Sequence, residues 1–241
     1  GIGFAISANL ATQVVSQLQD YGRTRRGWLG VRIQQVTDEL AEGLSLGKAR
    51  GALVSEISPD GPAEKGGLKV GDVIVRFDDK PVPTMRDLPR IVAETAIDKP
   101  VQVEVFRRGK SRMLEIVTGR LEEVSTKANS QRPTQEKASS DNDESFIGLT
   151  MQSLNRENRM RFGLGDDIIG AVIVDVERDS AAFEAGLRPG DVVSEIDQRA
   201  IGSAQGAVDA LQAAKRSGRN SVLALIRSTE SVRFIAIPLN D

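Results

Sequence analysis

Short runs in which apolar and polar residues alternate, parted by glycine-containing turns, dominate this chain, and helical spacing replaces them in few places. The pattern predicts a strand at 29–35, a short helix at 38–44 and strands at 52–57 and 73–77. A helix at about 85–94 follows, then a hairpin of 101–107 and 113–118 whose turn, Arg108-Gly109-Lys110, has Gly where a positive φ is wanted. Thr84 and Asp87 can form a capping box at the helix start. A start at Met85 makes Pro89 cost one helical hydrogen bond, whereas a start nearer Asp87 leaves it in the first turn. The same order then recurs: strands near 147–154, 171–177 and 192–196, a helix at 204–215 capped by Ser203 and stopped at Gly218, and a hairpin of 222–227 and 232–238.

The recurrence extends to the residues themselves. Gly67-Leu68-Lys69-Val70-Gly71-Asp72-Val73-Ile74 returns as Gly186-Leu187-Arg188-Pro189-Gly190-Asp191-Val192-Val193, about 119 residues later. Gly51-Ala52-Leu53-Val54 matches Gly170-Ala171-Val172-Ile173, and Trp28-Leu29-Gly30-Val31 matches Phe146-Ile147-Gly148-Leu149. A self-match sustained over a domain's length means two copies of one domain. The boundaries read as a leading segment 1–25, a first unit 26–121, a linker 122–145 and a second unit 146–241.

The leading segment opens with Gly1-Ile2-Gly3-Phe4-Ala5-Ile6, a strand of the kind that other backbone approaches closely. Leu10, Val14, Val15 and Leu18 then recur at helical spacing over 7–19, and Tyr21-Gly22 ends that helix. The linker is polar, with Pro133 and only Val124, Ala128 and Ala138 apolar, so it cannot bury enough surface to offset its ordering entropy. At a mean span of roughly 25–30 Å it lets the two units reorient. The expected fold is α+β and mostly β: two small, partly open sandwiches or barrels with two helices each.

Composition then removes functions. The chain has no histidine and no cysteine, which excludes a Ser-His-Asp triad, a Cys-His dyad, disulfides and metal sites built on those ligands. No cofactor and no metal are expected. A net charge of −2 offers no bulk attraction to nucleic acid or anionic membrane, and no apolar run approaches the roughly 18 residues that span a bilayer. The first methionine is Met85, so the chain reads as a piece of a longer protein whose missing part holds any chemistry. Gly71-Asp72 and Gly190-Asp191 read as structural turns in which Asp accepts backbone hydrogen bonds.

Arg26-Gly27 before Leu29-Gly30-Val31, then Gly51-Ala52-Leu53-Val54, Pro62-Ala63, Gly67-Leu68 and Gly71-Asp72-Val73-Ile74, make each unit resemble a PDZ domain of the bacterial permuted type. The tandem preceded by Gly-Ile-Gly-Phe-Ala-Ile is similar to the C-terminal part of an HtrA (DegP-type) serine protease. Ser7 departs from the proline usual there. The resemblance implies a periplasmic parent endopeptidase that degrades misfolded proteins in quality control and stress response, has chaperone character and assembles as trimers or larger cages. Its catalytic residues would lie upstream of this chain. A PDZ scaffold with no protease attached is the alternative, and the leading strand argues against it.

Residues 26–33 suggest how such a unit works. Arg26, Gly27, Trp28, Leu29, Gly30 and Val31 form a glycine-interrupted loop whose backbone N–H groups can turn inward as an anion nest for a peptide's C-terminal carboxylate. The peptide's extended backbone would pair with the strand edge through Val31, Arg32 and Ile33. Leu88, Ile91 and Val92 on the helix would receive its last side chain, so hydrophobic tails of misfolded or cleaved proteins are the expected partners. Trp28 and Phe146 read first as packing residues. In the second unit the corresponding groove is Phe146, Ile147, Gly148, Leu149, Thr150 and Met151 with Ala207, Ala210 and Leu211. Glu144 stands there in place of Arg26, and the helix side chains are smaller, so the second unit is expected to contact other subunits rather than capture peptide.

Overall fold

A computed structural model describes residues 26–120, 143–229 and 231–239, together with Thr12, Val15, Leu18 and Gln19, which are helical. The leading strand expected at 1–6 and nearly all of the linker expected at 122–145 lie outside the described residues. The first unit runs β1 (Gly27–Trp28), β2 (Val31–Gln35), α1 (Asp38–Gly43), β3 (Ala52–Ile57), α2 (Pro62–Lys65), β4 (Val73–Phe77), β5 (Lys80–Pro81), α3 (Asp87–Glu94), β6 (Pro100–Arg107), β7 (Lys110–Val117) and β8 (Gly119–Arg120). The second runs β9 (Glu144–Phe146), β10 (Leu149–Ser153), α4 (Arg156–Phe162), β11 (Ala171–Val176), α5 (Ala181–Glu184), β12 (Val192–Ile196), β13 (Arg199–Ala200), α6 (Ala204–Arg216), β14 (Ser221–Arg227) and β15 (Val232–Pro238). Each unit therefore adds to the two expected helices a single-turn helix, α2 or α5, too short to show a helical period.

All strand pairs are antiparallel. In the first unit the order is β2-β3-β4-β6-β7, with β5 beside β4 and a separate β1–β8 pair. In the second it is β15-β14-β12-β11-β10-β9, with β13 beside β12. Both copies carry a β-bulge at the equivalent place, between Arg32 and Ile33 and between Thr150 and Met151. Each sheet closes over its own apolar core. Val54, Ile74, Phe77, Leu88 and Val103 lie in the first, and Ile173, Leu187, Leu211, Ala224 and Ile237 in the second.

Local chemistry sets the ends of the elements. Helix α3 begins at Asp87 rather than Met85, which puts Pro89 in the first turn where its missing N–H costs nothing. The Asp87 carboxylate accepts from the Thr84 N–H at 3.1 Å and hydroxyl at 2.8 Å, and no side chain caps α3. Ser203 caps α6 by accepting from the Gly206 N–H at 3.2 Å, and Gly218, at φ 77°, follows its end. The repeated Asp is a turn anchor in both copies. Asp72 accepts from the Lys69 N–H at 2.8 Å and Asp191 from the Arg188 N–H at 3.1 Å.

Each anchor also holds an arginine that the repeat pattern does not reveal. Arg107, at the end of β6, meets both Asp72 oxygens at 2.6 Å, and that hydrogen bonding raises its already high pKa. Asp191 is met instead by Arg233 of β15 at 2.8 Å, so the copies solve one problem from different strands.

The two units are not free of one another. Leu40, Ala41 and Leu44 of α1 and its C-terminal cap, with Val36, Leu53 and Val73, pack against Leu223, Leu225 and Phe234 of the second sheet. The Gln34 amide makes a two-point bond to Phe234, donating to its C=O and accepting from its N–H, each at 2.8 Å. Arg108 donates to Gln198 alongside.

Asp72 has no solvent exposure and Arg107 little. Asp72→Ala leaves the guanidinium without its carboxylate, keeping only the Gly67 C=O, and should destabilise the first unit by about 3 kcal/mol. Urea unfolding followed at Trp28 measures this; a change below about 1 kcal/mol would mean the pair is not structural.

Candidate peptide-binding site

The candidate site is built on one of the two edges of the first sheet, that of β2. Strand β2 pairs only with β3, and its outer side is unpaired among the described residues. Its start is fixed by β1, which pairs elsewhere: Gly27 opposes Arg120 and Trp28 opposes Gly119. Gly27 is wedged against the end of α3, where a Cβ would lie 2.3 Å from the Val92 carbonyl oxygen. The Trp28 ring packs over Gly30, Gly61 and Gly119, as a packing residue does.

Between β1 and β2 the backbone commits its carbonyls inward. Leu29 C=O accepts from Ala63 N–H at 2.9 Å, and Gly30 C=O accepts from Ser58 N–H at 2.8 Å. The N–H groups of Leu29 and Gly30 donate to no backbone partner among the described residues. Gly30 sits at φ 76°, and a Cβ there would lie 2.9 Å from the indole. Successive amides left free beside a left-handed glycine are the makings of an anion nest.

The remaining candidate residues fall on both sides of this edge. Arg26 is exposed and directly precedes β1. Arg32, on β2, pairs with Glu56 at 3.2 Å, but both are exposed and the pair contributes little. Leu88, Ile91 and Val92 are 1%, 4% and 6% exposed and belong to the core with Leu29. They form a floor rather than an open wall. Val31, Ile33 and Met85 retain partial exposure over the same cluster. Met85, Ser58 and Ala63 were not among the sequence candidates. The last lies in the Pro62-Ala63 pair whose counterpart in the second copy is Ala181-Ala182, the one trace of it in the sequence.

In the second unit Leu149, Met151, Ala207 and Leu211 are core residues, while Phe146, Ile147 and Ala210 pack partly exposed against them and Thr150 is half-buried. Here the edge of β10 is not bare: β9 pairs along it. A cleft of about 510 Å³ lies instead between the units, at Gly43, Arg108, Asp197 and Arg219. It touches neither strand edge. No cluster of described His, Cys, Asp or Glu could hold a metal ion, and no described helix is long and apolar enough to cross a membrane.

A bare sheet edge ending in a glycine nest, twice encoded and once left open, defines a class of peptide-binding module. Residues 27–118 and 145–235 both match the PDZ domain family, and the chain belongs to it. The whole chain is 36% identical over 245 residues to a probable periplasmic serine endoprotease, DegP-like, of Brucella suis. A protein of the same description from Pseudomonas fluorescens is 38% identical over 205 residues, 85% of the chain and 41% of that protein. Half of the chain aligns at 39% identity and TM-score 0.45 with 37% of the solved HtrA-type protease AlgW with decapeptide. This is a tandem PDZ region homologous to the DegP-type periplasmic serine proteases, and it spans 45% of the Brucella protein's length.

Gly30→Val places a β-branched residue at a positive φ and against Trp28, so the nest cannot keep its shape. Affinity for a hydrophobic-tailed peptide should fall by about tenfold or more, a loss of about 1.4 kcal/mol, with the fold retained. Unchanged affinity in a fluorescence-anisotropy titration would remove the loop from the site.

Proposed function

We propose that this chain is the substrate-recruiting and regulatory part of a DegP-type serine endopeptidase acting on misfolded proteins in the periplasm. The first unit takes an exposed C-terminal tail as an added strand on β2. Its amide nest holds the carboxylate, and the apolar floor of Leu88, Ile91 and Val92 favours a hydrophobic last residue. The observation that carries this reading is the loop at Leu29 and Gly30, whose carbonyls are bonded inward and whose amides are left for a ligand. Arg26 adds a positive charge at the mouth, exposed and therefore a modest contribution.

The tail is held by main-chain hydrogen bonds, so its sequence matters little beyond its end. That is the property a protease clearing damaged proteins of every sequence requires. Hydrolysis belongs to residues outside this chain, which has no histidine for a triad. The second unit serves contacts between subunits of an oligomer built on trimers, with larger cages as its extension. Homology along the full chain favours this over an unattached scaffold.

Hydrogen bonds to a charged group contribute about 1.5–3 kcal/mol. Amidating the tail of a bound peptide should therefore weaken it by about tenfold to a hundredfold, while a free acid of the same sequence binds with one strong site per chain. Isothermal titration of the two peptides tests this. Equal affinity would contradict carboxylate capture.

A further inference from the structure

The two copies treat the same stretch of chain in opposite ways. In the first, the residues before the loop pair with β8 and leave β2 bare. In the second, they fold back as β9 onto β10, the strand equivalent to β2, with Phe146 opposite Leu149, Ser145 opposite Thr150 and Glu144 opposite Met151. The strand also lies beside α6, where the Lys215 ammonium sits 5.6 Å from the centre of the Phe146 ring. Side chains tie it down further: Gln152 Nε2 donates to Asp143 Oδ1 at 2.6 Å, and the Ser145 and Thr150 hydroxyls meet at 3.2 Å.

The loop has switched conformation to allow this. Ile147 and Gly148 stand at φ 50° and 71°, the two left-handed residues of a type I′ hairpin turn. In such a turn the closing pair exchanges both backbone bonds, so the Phe146 and Leu149 amides serve the hairpin, while those of Ile147 and Gly148, the equivalents of Leu29 and Gly30, take no part in it. Gly148 C=O still accepts from Glu177 N–H at 2.9 Å, as Gly30 does from Ser58. The second tether is missing: no bond from Ala182 N–H to Ile147 C=O matches that from Ala63 to Leu29. A β-branched residue disfavours positive φ, so Ile147 is strained where the turn's usual Asn would not be.

We propose that Asp143–Phe146 is an internal strand ligand of the second unit, closing a groove that is otherwise competent to accept an extended peptide. The assignment rests on the strand-addition reading of the first unit. An antiparallel strand between the carboxylate-side loop and the helix is the pose that reading gives an external tail. Here the chain supplies the strand itself, with Phe146 at the loop end where the last residue of an incoming tail would lie. The strain at Ile147 makes the closed form displaceable, so the second site is gated where the first is open.

The test uses the whole chain and a free-acid decapeptide ending in leucine-valine-phenylalanine, followed by backbone-amide NMR. In the unmodified chain, perturbations should stay within residues 27–35 and 85–95. Glu144→Pro removes the amide of the second bonded pair. It should let residues 149–153 and 204–215 titrate at least tenfold more tightly than in the unmodified chain. Ile147→Asn relieves the strained turn and should keep that groove silent at every peptide concentration used. Equal titration of the second groove in unmodified and Glu144→Pro chains would overturn the proposal, as would a silent second groove in Glu144→Pro beside a titrating first unit. Silence of the first unit counts against strand addition itself. In that case, or if Glu144→Pro does not fold, hydrogen exchange in the peptide-free, unmodified chain decides. Slow exchange of the Glu144 and Phe146 amides supports the internal strand, and exchange at random-coil rates refutes it.

Discussion

A strand at the end of a sheet leaves half of its backbone donors and acceptors without partners, and everything distinctive here follows from how those groups are satisfied. Natural sheets cover or blunt such edges because they invite pairing. The first unit leaves β2 open and diverts the neighbouring β1 to β8, a pairing that holds Gly27 and Trp28 away from the edge. The inward bonds from Ala63 and Ser58 then orient the loop amides outward at the head of that edge. In the proposed function, affinity for extended backbone and for a terminal carboxylate arises from one arrangement of main chain, with side chains supplying the apolar floor.

The second constraint is the contact between the units. Gln34 lies on β2 itself, and its amide is bonded at both ends to Phe234 on an edge strand of the second sheet. The apolar faces of α1 and β14 close around that pair. The open edge is therefore anchored at its far end to the second unit and free at its loop end. The linker composition suggests two units that reorient, yet the described residues place them in direct contact, because the outer face of one sheet carries Leu223, Leu225 and Phe234 where water would otherwise lie.

Much of the scaffold was legible in the sequence. Strands at 52–57, 73–77, 192–196 and 232–238 coincide with β3, β4, β12 and β15, because each is a short apolar-rich run bounded by turn residues. The strand expected from Leu29 starts only at Val31, since Leu29 and Gly30 are spent on the loop. Asp72 and Asp191 were readable as turn anchors, but their arginines were not, coming from non-equivalent strands. The open and closed edges were the least legible. The segments before Leu29 and Ile147 differ in sequence, Arg26-Gly27-Trp28 against Glu144-Ser145-Phe146, but their opposite pairings also depend on whether a partner such as β8 stands beside them. That is tertiary context, which local patterning does not carry. The interface bond from residue 34 to residue 234 was hidden for the same reason.

On the strand-addition reading, β2 gains a strand when a tail binds. Amide hydrogen exchange along Val31–Gln35, with and without a saturating free-acid peptide, tests it most directly. Added antiparallel pairing protects alternate amides on the outer side and leaves those already bonded to β3 unchanged. That alternating pattern, accompanied by slowed exchange at Leu29 and Gly30, is the expected result. Uniform protection, or none at these residues while peptide is bound, would contradict the account.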